Sequence, residues 1–193
     1  MKMTAKGYEI LRNNYGKLSN GFVNGTEALI QSFNDDGHVS YDEAAYMLAT
    51  AYHETRATMQ PIYEDGSKAY FDKYDTGKLA AQLGNTPQKD GDGYLWRGRG
   101  FVQLTGHDNY AKASKELGID FLSNPDLVLV LKNAANIMIL GMREGWFTGR
   151  KLSNYINKAG ADYVNARRII NGTDKALQIA AHARIFREAL SMP

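Results

Sequence analysis

The stretch Ser40-Tyr41-Asp42-Glu43-Ala44-Ala45-Tyr46-Met47-Leu48-Ala49-Thr50-Ala51-Tyr52-His53-Glu54 decides the fold. Ser40 followed three residues later by Glu43 is a capping-box pattern, in which each side chain satisfies a backbone N–H that the first helical turn leaves free. The run behind it, from Ala44 onward, is apolar on nearly every face. Such a helix has no face suited to water, so it is expected at the centre of a core. It carries His53-Glu54 at its end. Pro61 disfavours helix at Gln60, so the helix stops before it.

Working outward, the same reasoning makes most of the chain helical. Residues 4–14 and 25–33 read as two short helices, separated by Gly16, Asn20, Gly21 and Gly25. Residues 107–117 read as a helix ended by Gly118, and 132–144 as a second strongly apolar helix closed by Gly145. Asn124-Pro125 marks a break between them. Helices are expected over 151–158, 161–170 and 174–190, the last with Ile179, Ala183, Phe186 and Leu190 at helical spacing. From Tyr63 to Gly106 the pattern loses its period: Gly, Asp, Tyr and Lys interleave, with one helical stretch at 78–83 and Phe101–Leu104 as a candidate hairpin strand. A long, weakly periodic segment in a compact domain is usually functional. The expectation is a mainly α architecture with an inserted loop-rich lobe at about 60–106.

Composition narrows the function. The 193 residues suit one domain, 1–193, without a separate binding module. The absence of cysteine excludes a disulfide scaffold, a cysteine-ligated zinc site and thiol catalysis. With 23 Lys and Arg against 21 Asp and Glu, the net charge of +2 does not argue for a nucleic-acid partner. The apolar stretches 126–131 and 134–142 are too short to span a membrane. Nothing in the sequence suggests more than a monomer.

Four constellations carry chemistry. The first is His53-Glu54: a carboxyl at the end of a buried helix is a candidate general acid, because burial favours the protonated form of such a group, while the plainer reading is a helix-end Glu paired with Arg56 or another cation and facing water. It is not a zinc motif, since position 57 is Ala where a second His would stand. The second is Glu64. On one continuous helix, ten residues would place it about 80° around and about 15 Å along from Glu54. Pro61 breaks that helix, so the chain can fold back and set the two carboxylates across a cleft, the minimum apparatus for glycoside hydrolysis. The third is Tyr94-Leu95-Trp96-Arg97-Gly98-Arg99-Gly100-Phe101-Val102-Gln103-Leu104-Thr105-Gly106, where Tyr94 and Trp96 offer stacking faces for sugars. On a strand, Gln103 and Thr105 would share one face. The fourth, Asn165 to Thr173, reads as a helix closed by Asn171-Gly172 with its arginines on a solvated face. Asp90-Gly91-Asp92-Gly93 lacks the later ligands of a calcium loop and reads as a turn.

Together these segments resemble glycoside hydrolase family 19, which holds plant-type chitinases and many phage lysis enzymes. The resemblance rests on Ala51-Tyr52-His53-Glu54-Thr55, Glu64, Arg97 to Gly106 with Asn109-Tyr110, and Ile169-Ile170-Asn171-Gly172, in that order. It implies a lysozyme-like, two-lobed helical fold with a cleft and an inverting mechanism. Glu54 would be the general acid, and Glu64 the general base with Asp65 and Asp75 as alternatives. Thr105 would help hold the attacking water. His53, Tyr94, Trp96, Arg99, Gln103, Asn109 and Asn171 would contact the substrate. No metal or organic cofactor is implied. Met59-Gln60-Pro61-Ile62-Tyr63-Glu64 and Gly145-Trp146-Phe147-Thr148-Gly149 look more like the phage and prophage branch, which points to peptidoglycan rather than chitin. The expected function is therefore an endolysin-type hydrolase of the β-1,4 linkage in the wall glycan. A chitinase and a catalytically silent glycan-binding module are the alternatives. The first twenty residues hold no apolar segment of signal-peptide length, so synthesis in the host cytoplasm and release through a separate pore are expected.

Overall fold

The computed structural model describes residues 1–192, and its mainly helical architecture agrees with the expectation. In chain order the elements are α1 (Ala5–Tyr15), α2 (Asn20–Asp36), α3 (Tyr41–Glu54), β1 (Ile62–Tyr63), α4 (Lys68–Asp75), α5 (Gly77–Leu83), α6 (Asp92–Leu95), β2 (Arg99–Gly100), α7 (His107–Leu117), α8 (Leu131–Glu144), β3 (Ile156–Asn157), β4 (Gly160–Ala161) and α9 (Ala176–Ser191). They fall into two compact units, one of Met1–Gln60 with the chain from Ala135 onward, the other of Pro61–Ala134.

In the first unit α3 is the central element. Its residues Ala44 to Ala51 are all buried, and its long partner is α9, which also packs against α1. The capping box is formed: Glu43 N–H donates to Ser40 Oγ at 3.2 Å, and Ser40 N–H donates to Glu43 Oε2 at 2.9 Å. Tyr15 stacks on Tyr52 at 4.5 Å between ring centres, with Phe22, His182 and Phe186 around them. The α2 helix runs through Gly21 and Gly25, which composition alone reads as breakers. Gly25 is there for close approach: a Cβ would lie 1.7 Å from the carbonyl oxygen of Met59, so only glycine lets that chain pass.

Beyond α3 the chain turns through a set of unusual conformations. Arg56, Ala57 and Met59 have φ of 53°, 65° and 54°. The buried Thr55 holds this turn, its hydroxyl donating to Ala51 O at 2.7 Å and accepting from Met59 N–H at 3.0 Å. The helices expected over 151–158 and 161–170 are absent. The chain there forms a 3-10 turn at Leu152–Asn154, the two-stranded hairpin β3–β4 and a second 3-10 turn at Asn165–Ile169.

In the second unit α4 lies against α5 and α6, α7 against α5, and a 3-10 turn at Pro125–Leu129 against β2. The strands β1 and β2 pair antiparallel, Ile62 opposite Gly100 and Tyr63 opposite Arg99. Phe101–Leu104 is not a strand but a tight turn that returns Leu104 to Arg99, and Gln103 sits at φ 54°. Two helices in this unit, α4 and α6, were not legible as such, because Gly and Asp interrupt their apolar period.

Two outcomes follow. Replacing Ser40 by Ala removes one half of the capping box and should lower stability by about 1 kcal/mol in denaturant unfolding. Burial, and then the charge of His53, hold the His182 imidazole below its usual value, and Tyr15 Oη lies 3.0 Å from its Nδ1. The unfolded state therefore takes up this proton first. Stability should fall as pH drops below about 6.5 and level off once folded His182 also protonates. In His182→Gln that acid-side decline should be smaller in thermal unfolding followed against pH.

Candidate active site

Glu54 is the last residue of α3. A carboxylate is poorly placed there, because the helix C-terminus carries a partial negative charge. The structure answers with Arg167. Its Nη1 donates to Glu54 Oε1 at 2.5 Å, and its Nε donates to the carbonyl oxygen of Asp174 at 3.0 Å. Arg167 is 3% exposed, while the Glu54 side chain keeps 19% of its surface open. The carboxylate is thus ion-paired and partly open, as the plainer reading of a helix-end Glu expects, with Arg167 as the cation. Arg167 is also the correction to the fourth constellation: it faces the core instead of solvent. Its neighbours Ala166 and Ile169 are buried, and that spacing turns Arg167 inward while Arg168 stays exposed. Asn171 lies one short turn on, where its N–H donates to Arg167 O at 3.0 Å. It is exposed, and its Oδ1 accepts from Gly172 N–H at 2.8 Å. His53 is half-buried beside Glu54.

Glu64 follows β1 and is fixed in the second unit by backbone and side chain together. Its N–H donates to Gly98 O at 2.8 Å, and its Oε2 accepts from Gly98 N–H at 3.2 Å. Its Oε1 accepts from the Tyr74 hydroxyl at 3.0 Å, and Lys73 Nζ stands 3.9 Å from the same oxygen. Gly98 keeps this site tight: a Cβ there would come within 2.8 Å of Gln103 Oε1 and 3.0 Å of Glu64 Oε2, so both side chains would have to shift. Gln103 Nε2 reaches back to Ile62 O at 3.3 Å. The Thr105 hydroxyl donates to Gln103 O at 2.9 Å, and Asn109 Nδ2 donates to Thr105 O at 2.7 Å. The structure therefore gathers Glu64, Gln103, Thr105 and Asn109 in one hydrogen-bonded loop system. The alternation of a strand is not what does this.

The two alternatives to Glu64 differ from it. Asp75 is 2% exposed and accepts from the N–H groups of Gly91 and Gly93, so it closes the 86–93 loop. Asp65 is exposed next to Glu64. Among the expected sugar contacts, Arg99 is displaced from that role. It is 2% exposed and donates to Asp126, Leu95 O, Arg97 O and the Tyr110 hydroxyl, which makes it the strut of the loop. Tyr94 is half-buried, with Arg97 at 4.0 Å and Lys68 at 5.2 Å from its ring centre. Trp96 packs edge-on to His107 at 4.8 Å. Neither aromatic offers two bare faces.

Among the described residues, no group of three or more His, Asp or Glu is arranged to hold a metal ion, and no helix is long and apolar enough to cross a membrane.

The model of the class I chitinases, the family numbered 19 among glycoside hydrolases, matches residues 12–148. A family 19 domain-containing protein of Haemophilus influenzae is 56% identical over 41 residues, covering 21% of this chain and 20% of the relative. An endochitinase of Arabidopsis thaliana is 35% identical over 86 residues, 44% of this chain and 30% of the relative. The matched parts thus span a third or less of these relatives' lengths. Among solved structures, chitinase C of Streptomyces griseus superposes with a TM-score of 0.66 at 21% identity, over 95% of this chain and 76% of the other. A second bacterial family 19 chitinase gives 0.61 at 22% identity, over 99% and 96%. At these identities the superpositions speak to the fold.

The Arg167 pair makes a prediction that separates two variants. Arg167→Ala leaves the Glu54 carboxylate without its buried partner and should destabilise the chain by about 2–3 kcal/mol, less than a fully buried pair because Glu54 is partly solvated. Glu54→Gln keeps a side-chain oxygen for Arg167 Nη1. It removes the counter-charge of a nearly buried guanidinium, however, so its thermal midpoint should also fall, by less than in Arg167→Ala.

Proposed function

The chain belongs to glycoside hydrolase family 19, and from that premise we propose that it hydrolyses the β-1,4 linkage of the peptidoglycan glycan strand with inversion of configuration. Glu54 protonates the leaving glycosidic oxygen. Glu64 takes a proton from the attacking water, which adds to the sugar carbon from the opposite face. The Thr105 hydroxyl gives its own proton to Gln103 O, so its lone pairs face the water as an acceptor and help orient it. Gln103, Asn109 and Asn171 contact the sugar chain.

The observation that carries the hydrolase reading is the opposite treatment of two carboxylates. Glu54 meets a guanidinium, while Glu64 meets a phenol, a backbone N–H and a more distant ammonium. Each carboxylate is thus fixed by its own set of partners at a motif position of the family, and a pair of positioned carboxyl groups is what glycoside hydrolysis uses. The peptidoglycan reading rests on the phage-like wording of residues 59–64 and 145–149. A protein of this kind acts at the wall after leaving the host cytoplasm through a separate pore. Chitin is the second reading, favoured by the endochitinase relatives.

Digestion of purified peptidoglycan and of chitin oligomers, with products identified by mass spectrometry, tests the assignment. New reducing ends from peptidoglycan are expected. Glu54→Gln should reduce their release by at least about a thousandfold with the fold intact, and Thr105→Ala by about a hundredfold. Lysis at the wild-type rate by folded Glu54→Gln would sink the acid role. Release from chitin alone would move the substrate, and binding without any release would make the chain a glycan-binding module.

A further inference from the structure

A pocket in the second unit has no part in the roles given so far. It has a volume of about 620 Å³, within the range of small-ligand sites, and its walls include Tyr94, Leu95, Arg97, Asn124, Asp126 and Leu127. Arg97 is its organised cation. The guanidinium carbon lies 4.0 Å from the Tyr94 ring centre and 4.7 Å from that of Tyr63, and Nη1 donates to Tyr94 O at 2.7 Å. Among the described residues no further hydrogen bond of the Arg97 guanidinium is found, so its Nε and Nη2 edges are available. A planar guanidinium already fixed in place offers a carboxylate two parallel donors with little left to order.

The opposite charge stands in the same wall. Asp126 accepts from the buried Arg99 Nε at 2.9 Å and meets the Tyr63 hydroxyl, yet its side chain is 68% exposed. Leu95 and Leu127 supply apolar surface beside these charges. A neutral chitin chain can hydrogen-bond to these groups through its hydroxyl and acetamido groups, but it carries no ionised group to pair with a fixed cation or an open carboxylate. The peptide stems of peptidoglycan carry carboxylates, free amines and short aliphatic side chains.

We propose that this pocket binds the stem peptide of the peptidoglycan strand, with the Arg97 fork on a peptide carboxylate and Asp126 facing a peptide amine. The position suits a specificity role. Arg97 is joined directly to Gly98, whose N–H and C=O both bond Glu64, so the peptide would be read one residue away from the anchor of the base. This inference rests on the peptidoglycan reading above.

The test is calorimetric titration of the full chain with muramyl dipeptide, with its carboxyl-amidated form and with chitotriose, beside a digestion of whole peptidoglycan. Muramyl dipeptide should bind wild type at least about tenfold more tightly than the amidated form, which probes the carboxylate without altering the protein. Arg97→Gln should weaken muramyl dipeptide about tenfold or more, roughly the loss of a charge-assisted hydrogen bond. It should also lower the ratio of kcat/KM on peptidoglycan to that on chitin oligomers by a similar factor. Equal binding of the acid and amidated ligands, or an unchanged ratio in Arg97→Gln, overturns the pocket's role. Peptidoglycan hydrolysis decides the wider reading separately. Release of fragments with no dependence on Arg97 sinks the pocket alone. Carboxylate-dependent binding without release of fragments sinks the hydrolase reading and leaves the pocket.

Discussion

A helix buried on every face meets water only at its ends. In α3 this constraint is met by a hydrogen-bonded box at the start and a carboxylate at the finish. The residues between leave no choice of orientation, since Ala44 to Ala51 are all enclosed. Glu54 is therefore placed by the core rather than by a loop. Its position at the negative end of the helix dipole is unfavourable in isolation. The buried Arg167 offsets that cost, and the same pair ties the 3-10 turn at Asn165–Ile169 to the helix end. A stability element and a proposed catalytic group thus share one interaction.

The second carboxylate is held by a different principle. Glu64 directly follows a two-residue strand pair too short to be stable alone. What fixes it is Arg99, whose buried guanidinium gathers the carbonyls of Leu95 and Arg97, the Tyr110 hydroxyl and Asp126. Around that strut the chain makes close turns at glycines, and Gly98 presents both of its backbone groups to Glu64. A second buried charge, Asp75, does the same for the loop before it. Buried polar side chains thus join a small apolar core of Phe71, Phe101, Leu104, Phe121 and Val128 in organising this unit.

That contrast explains what could be read from the sequence. The helix α3, its cap and its end were legible because periodicity and capping chemistry agree there. So were α7 with Gly118 and α8 with Gly145, each closed by a glycine in the left-handed region. Residues 151–170 misled because Leu152, Tyr155 and Ile156 recur at helical spacing, yet the chain takes 3-10 turns and a hairpin. Gly25 misled in the other direction, since a glycine kept for the passage of Met59 looks like a breaker. The residues Glu54, Glu64, Gln103, Thr105 and Asn109 were marked by motif, but Arg167 was not. An arginine beside a second arginine looks solvated, and only the buried neighbours at 166 and 169 betray its direction. Arg99 was marked for the wrong reason: it supports the loop and does not reach outward.

The central proposal is that Glu54 protonates the leaving glycosidic oxygen and Glu64 activates the attacking water, without a covalent intermediate. Proton NMR of the first products formed from a soluble β-1,4-linked amino-sugar oligomer tests it most directly. The account predicts that the α-anomer forms first and decays towards the equilibrium mixture. Initial formation of the β-anomer would contradict it, because retention needs a carboxylate that attacks the sugar itself.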